Sequence, residues 1–135
     1  MAIINTFRKC LDSPYLFEDK DAPARIGGLL AAAGDRLEAA VNIQTTGQGD
    51  PADASLLAYE AMFSCLRALV YHQGYREAGL RCLLLACDEL FVKPGTLEAG
   101  LIQAFERAQG LKSPPAETIA AAAALVKRTL EILGQ

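Results

Sequence analysis

Residues 55–91 read SLLAYEAMFSCLRALVYHQGYREAGLRCLLLACDELF, and the rest of the chain is organised around them. Apolar side chains recur in this stretch at three- and four-residue steps, the period of an amphipathic α-helix. The recurrence breaks once, at Gly74, whose freedom to adopt left-handed geometry makes it a helix stop. The stretch therefore reads as two helices meeting at a short turn. The first presents Leu56, Tyr59, Met62, Phe63, Leu66, Leu69 and Val70 on one broad face and runs to about residue 73. Beside that face lies a polar stripe of Glu60, Ser64, Arg67 and Tyr71, stepping by four, three and four. The second starts near Arg76, buries Leu80, Leu83, Leu84, Cys87, Leu90 and Phe91, and ends at Pro94-Gly95.

The flanking sequence is helical as well. Residues 1–12 form a short amphipathic helix with Ile3, Ile4, Phe7 and Leu11 on one face, ending before Ser13-Pro14 because a residue preceding proline avoids helical geometry. Tyr15, Leu16 and Phe17 then either pack over one end of the bundle or form an arm for a partner. A long helix opens near Pro23, with Asp21 as its cap and Ile26, Leu29, Leu30, Ala33, Leu37, Ala40 and Val41 facing inward. Its Gly27, Gly28 and Gly34 each cost roughly 1 kcal/mol relative to alanine, which points to a second helix backbone passing close by. Residues 45–53 are a loop, with Asp53 capping the next helix. Thr96 caps a shorter helix carrying Leu97, Leu101, Ile102 and Phe105 inward. The last helix spans about residues 116–133, with Ile119, Ala122, Ala123, Val126, Leu130 and Leu133 inward and a strongly helix-forming run of alanines from Ala120 to Ala124. No stretch alternates like a strand. The expected fold is all-α: an up-and-down bundle of four main helices plus a short additional helix, one domain over residues 1–135, with residues 1–20 an N-terminal extension and residues 22–133 the core.

Composition limits the function classes. A net charge of −3 argues against nonspecific coating of nucleic acid, although a local basic patch is allowed. Cys10, Cys65, Cys82 and Cys87 include no CxxC pair, and His72 is the only histidine, so no Cys/His zinc set can form; neither a metal nor a cofactor is expected. The four thiols read as reduced, buried side chains in a reducing compartment. The N-terminus lacks a secretory pattern and no apolar run reads as a membrane span, so a cytoplasmic location is expected.

Arg67 and His72 are the candidates for chemistry. A histidine moves protons near neutral pH, and an arginine holds phosphate through its forked donors, so the pair suits cleavage of RNA without a metal. Against this, five residues correspond to about 140° around a helix, so the side chains converge only through their length, through fraying near Gly74, or across a second subunit. The alternative is a solvated or ion-paired Arg67 and an exposed His72 in the last helical turn. Ser64 and Tyr71 on the polar stripe, and Tyr75, Arg76 and Arg81 beyond the turn, are candidate binding residues: the tyrosines to stack a base and the arginines to widen a basic patch.

The segment LAYEAMFSCLRALVYHQGYRE resembles the small HEPN-domain proteins of bacteria and archaea, through Tyr59, Ala61, Met62, Phe63, Arg67, Ala68, Leu69 and Gly74. With the preceding GDRLEAAVNIQ and the alanine-rich last helix, the resemblance spans residues 24–133. It implies an all-α HEPN-like bundle, a homodimer through the central helices, and a small nucleotidyltransferase partner in a toxin–antitoxin or defence setting. Some members cut RNA with an arginine followed, after four to six residues, by a histidine; Arg67 and His72 match with four between. Departures are Ala68 where active members carry a polar residue, Gly74 where the toxin subgroup has tyrosine, and Ser64 where relatives often have histidine. The expected function is thus a noncatalytic module binding the nucleotidyltransferase or a nucleotide. The alternatives are a metal-independent endoribonuclease using Arg67 and His72 across a homodimer, with RNA as its ligand, and a purely structural dimer.

Overall fold

Thr6 opens the first helix. In this computed structural model, which describes residues 3–110 and 112–135, its backbone is extended and its hydroxyl accepts the Lys9 N–H at 3.1 Å. Helix α1 is therefore only Phe7–Leu11, shorter than the expected segment, whose residues 1 and 2 lie outside the described residues. Strand β1, Leu16–Glu18, comes next. A 3-10 turn, Ala22–Arg25, then runs directly into α2, Ile26–Thr46; Asp21 makes no side-chain capping bond. Helix α3 is Pro51–His72, capped by Asp50 rather than Asp53: the Asp50 carboxylate accepts the Ala52 N–H at 3.0 Å, and Pro51 occupies a first-turn position where no N–H is needed.

Gly74 ends α3 with a positive φ of 84°, as its position in the sequence implies. The chain does not re-enter a helix at once. Tyr75–Glu77 forms strand β2, antiparallel to β1, with Leu16 opposite Glu77, Phe17 opposite Arg76 and Glu18 opposite Tyr75. The small sheet corrects the expectation of a strand-free chain and delays the next helix, α4, to Leu80–Cys87. A π-helical turn, Asp88–Val92, extends α4. The N–H groups of Thr96 and Leu97 both bond to the Phe91 carbonyl, so Thr96 belongs to the turn and caps nothing; helix α5 begins at Ala99 and ends at Gln109. Helix α6 is Pro115–Leu133.

The protein is a mostly helical bundle with α3 at its centre, packed against α2 on one side and α6 on the other. Met62, Leu66, Leu69 and Val70 of α3, Phe105 of α5 and Leu125 of α6 have no exposed surface. Each contributes roughly 1.5–3 kcal/mol of burial free energy. Leu56 departs from the expected stripe, at 52% exposed: Ala54 and Ala58 on either side of it are buried, so the start of α3 turns their face to the core and Leu56 outward. By length and apolarity α3 would suffice to cross a membrane, contrary to the expectation from sequence, but its apolar face is the core of this bundle.

Two further expectations are corrected. A Cβ placed on Gly27, Gly28 or Gly34 would meet nothing within 4 Å, so no helix backbone of this chain approaches them. And Cys10 and Cys82 form a disulfide that ties α1 to α4, while Cys65 and Cys87 are free and buried. The expectation that all four thiols are reduced is thereby corrected: two are bonded and two are free. The N-terminal extension is folded onto the bundle: Leu16 is fully buried, Tyr15 and Phe17 are exposed, and the Phe7 ring meets Tyr75 edge-on at 5.5 Å.

Candidate functional site

Arg67 sits toward the C-terminal end of α3, where two depressions beside α2 and α3 meet. Three contacts hold its guanidinium. Nε donates to Glu77 Oε1 at 3.1 Å and Nη2 to Oε2 at 3.4 Å, a forked pairing that matches guanidinium to carboxylate. The guanidinium carbon lies 4.4 Å from the centroid of the Phe63 ring, within cation–π range. Phe63 is braced by the Phe105 ring at 6.0 Å, which stacks on Tyr59 at 4.9 Å. Glu77 can reach Arg67 only because Gly74 reverses the chain and β2 runs back beside α3. Its side chain is 5% exposed while that of Arg67 is 40% exposed, so the pair is anchored from below and open above.

Tyr71 completes the anchor. Its hydroxyl donates to Glu77 Oε1 at 3.1 Å. Burial, then the Glu77 charge and hydrogen bond, push the phenol above its ordinary range. Three members of the polar stripe thus have partners within the chain: Glu60 pairs with Arg36, and Arg67 and Tyr71 both meet Glu77.

One depression, of about 350 Å³, is lined by Arg25, Gly28, Leu29, Arg67, Tyr71, Arg76 and Glu77. The other, of about 280 Å³, is lined by Arg36, Glu60, Phe63, Ser64 and Arg67. Arg67 borders both, so they read as one groove with a polar, arginine-rich end and an end floored by Phe63. Among the described residues Arg25 makes no ion pair, Arg76 reaches Asp19 only at 3.7 Å, and Arg36 pairs with Glu60 at 3.0 Å. Arg25 and Arg76 are therefore the cations available to an incoming anion.

Of the residues singled out in the sequence, the fold brings Ser64, Arg67, Tyr71 and Arg76 to this groove. His72 is exposed at the end of α3 and borders a different depression, of about 330 Å³, with Pro23, Ile26, Gly27, Leu30, Leu133 and Gln135. Within one chain Arg67 and His72 share no cavity. Tyr75 packs on Phe7, and Arg81 donates to the Ile4 carbonyl on the far side of the small sheet. Arg25, Arg36, Phe63 and Glu77 are groove residues that the sequence does not announce. Arg25 and Arg36 are visible there only as polar positions off the apolar stripe, Phe63 as a core residue, and Glu77 has no signal, since ten residues from Arg67 is not a helical spacing.

Among the described residues no cluster of three or more His, Cys, Asp or Glu side chains is placed to hold a metal ion. No family model, no curated protein and no solved structure matches the chain.

Proposed function

We propose that this protein is a HEPN-like, noncatalytic helical module that binds a nucleotide in the α2–α3 groove. The observation that carries the reading is the Arg67 guanidinium, fixed by Glu77 and Phe63 where the two ends of the groove meet. A fixed guanidinium offers its remaining N–H groups and open face without the entropy loss of a free side chain. Arg25 and Arg76 supply the charge for a phosphate at one end. Phe63, with Arg67 above it, and Ser64 supply an aromatic and polar surface for the base and sugar at the other. The homodimer and the nucleotidyltransferase partner implied by the resemblance belong to the same proposal; a monomer by light scattering at micromolar concentration would remove the first.

Calorimetric titration with ATP, and separately with adenosine, tests the reading. ATP should bind and adenosine only weakly, and the Arg25→Ala/Arg76→Ala double variant should lose roughly tenfold in affinity, about 1.4 kcal/mol. No heat from ATP at millimolar concentration would refute it. The endoribonuclease alternative requires a second copy to bring a His72 to Arg67, because in one chain they border separate depressions. Cleavage of single-stranded RNA that disappears in His72→Ala would favour it instead.

A further inference from the structure

We infer that the Cys10–Cys82 disulfide is a redox latch on the α2–α3 groove. The inference rests on that groove being the binding site and concerns its regulation. Two groove residues, Arg76 and Glu77, lie on β2, and β2 is held in place by β1. Each strand has only three residues, and an isolated two-stranded pair of that length is not stable in water. What keeps β1 in register is its attachment. It pairs Leu16 with Glu77 and Phe17 with Arg76, the Asp19 N–H donates to the Gly74 carbonyl at 2.8 Å, and the Asp19 carboxylate faces Arg76 at 3.7 Å. Immediately before β1 stands α1, a single short helix whose covalent hold on the bundle is Cys10 bonded to Cys82 of α4. Phe7 of α1 also presses on Tyr75 of β2. The disulfide thus fixes the strand that fixes Arg76 and Glu77, and Glu77 fixes Arg67.

A route to the bond exists. Both cysteines are buried, but Cys82 borders an apolar depression of about 220 Å³ whose rim includes Tyr15, Gly79 and Arg81. A small thiol entering there attacks Cys82 as its thiolate. The S–S bond breaks, Cys10 leaves as a thiolate and takes up a proton, and a mixed disulfide forms on Cys82. A second thiol resolves it, so two thiols are oxidised to one external disulfide and Cys10 and Cys82 become two thiols. Arg81 supplies positive charge beside the attacking thiolate. Once the bond is open, only the burial of Leu16 and the backbone bonds to β2 and its ends hold β1, so β1 separates from β2 more readily and the grip of Glu77 on Arg67 and Tyr71 loosens.

The test uses the full chain, oxidised and then reduced with dithiothreitol, with Cys10→Ser as a second route to the open state. Amide hydrogen exchange is read at residues 16–19 and 74–77 without ligand, and ATP affinity is measured in both states. The expected result is a loss of protection in those two segments, roughly tenfold beyond any uniform loss shared by α3 and α6, with unchanged helical circular dichroism and weaker ATP binding. The same local loss with no ATP binding in either state would uphold the coupling of disulfide to groove and overturn the nucleotide reading alone. Loss of protection that is uniform over the chain, loss of helicity, or an ATP affinity indifferent to reduction would each overturn the latch.

Discussion

Glu77 and Arg67 form a forked ion pair whose two halves differ in their access to water: 5% of the Glu77 side chain is exposed against 40% of Arg67. Removing the two partners should therefore have unequal consequences. Arg67→Ala leaves a largely buried carboxylate with Tyr71 as its remaining side-chain donor and should cost about 3 kcal/mol. Glu77→Gln leaves a guanidinium that solvent can reach and should cost about 1 kcal/mol. The double variant should lose less than the sum, with a coupling of about 1–2 kcal/mol. Urea unfolding of the four proteins measures this; equal losses would mean that the pair is not anchored from the Glu77 side.

Tyr71 gives the groove an alkaline limit. Burial and the Glu77 carboxylate raise its phenol above the ordinary value of 10.0, so the neutral form is favoured in the folded state. The resulting stability is fully present below pH 10 and is lost as pH rises through the higher folded value. Unfolding measured at increasing alkalinity should show a decline that begins near the ordinary value of 10.0 and continues up to the raised folded value, which Tyr71→Phe makes shallower. Near neutrality the same substitution should cost about 1–2 kcal/mol, because Glu77 loses a donor. Tyr59, raised by burial alone, should titrate identically in both proteins.

The open glycines of α2 separate stability from binding. Alanine at Gly34 meets no neighbour within 4 Å and relieves the conformational freedom of a helical glycine, so Gly34→Ala should stabilise the fold by about 0.5–1 kcal/mol. Gly28→Ala should stabilise it similarly, but its methyl group enters the groove beside Arg25 and Arg67. Thermal melts should therefore improve for both variants, while ATP titration should weaken only for Gly28→Ala.

Thiol chemistry distinguishes the cysteines. Burial pushes the Cys65 thiol up to about 11 and Cys87 higher still, so neither should react with an aromatic disulfide reagent in the native protein at neutral pH. Unfolding without reductant should expose Cys65 and Cys87 alone, and unfolding with reduction should expose all four thiols. Loss of the Cys10–Cys82 bond, which closes a loop with a sequence separation of 72, should lower global stability by about 2–4 kcal/mol in urea.

Much of the helical framework was legible residue by residue. Met62, Leu66 and Leu69 recur at helical steps and are buried; Gly74 interrupts them and terminates α3; Pro94-Gly95 and Ser113-Pro114 separate the later helices. The misreadings cluster where a backbone group found a distant partner. Asp50 displaced Asp53 as a cap because Pro51 fits the first turn. Thr96 was drawn into a turn by the Phe91 carbonyl. Arg76 and Glu77 look helical beside their leucine-rich sequel, yet with Tyr75 they pair with residues 16–18. Within the candidate site, Ser64, Arg67, Tyr71 and Arg76 were identifiable as a polar stripe and a basic sequel, whereas the separate placement of Arg67 and His72 results from how the loops and the neighbouring α2 divide the surface.

By itself the sequence determined most of the helices and much of their buried faces, because these depend on local hydrogen bonds and on a spacing that any short window displays; Val41, Leu56 and Ala123, expected to face inward, are exposed. Tertiary structure alone decided the rest. The Cys10–Cys82 bond, the β1–β2 pair and the grip of Glu77 on Arg67 join residues that become neighbours only after the chain turns at Gly74 and the N-terminal segment docks. Their energies come from desolvation and geometry at the meeting point, and no spacing along the chain encodes either.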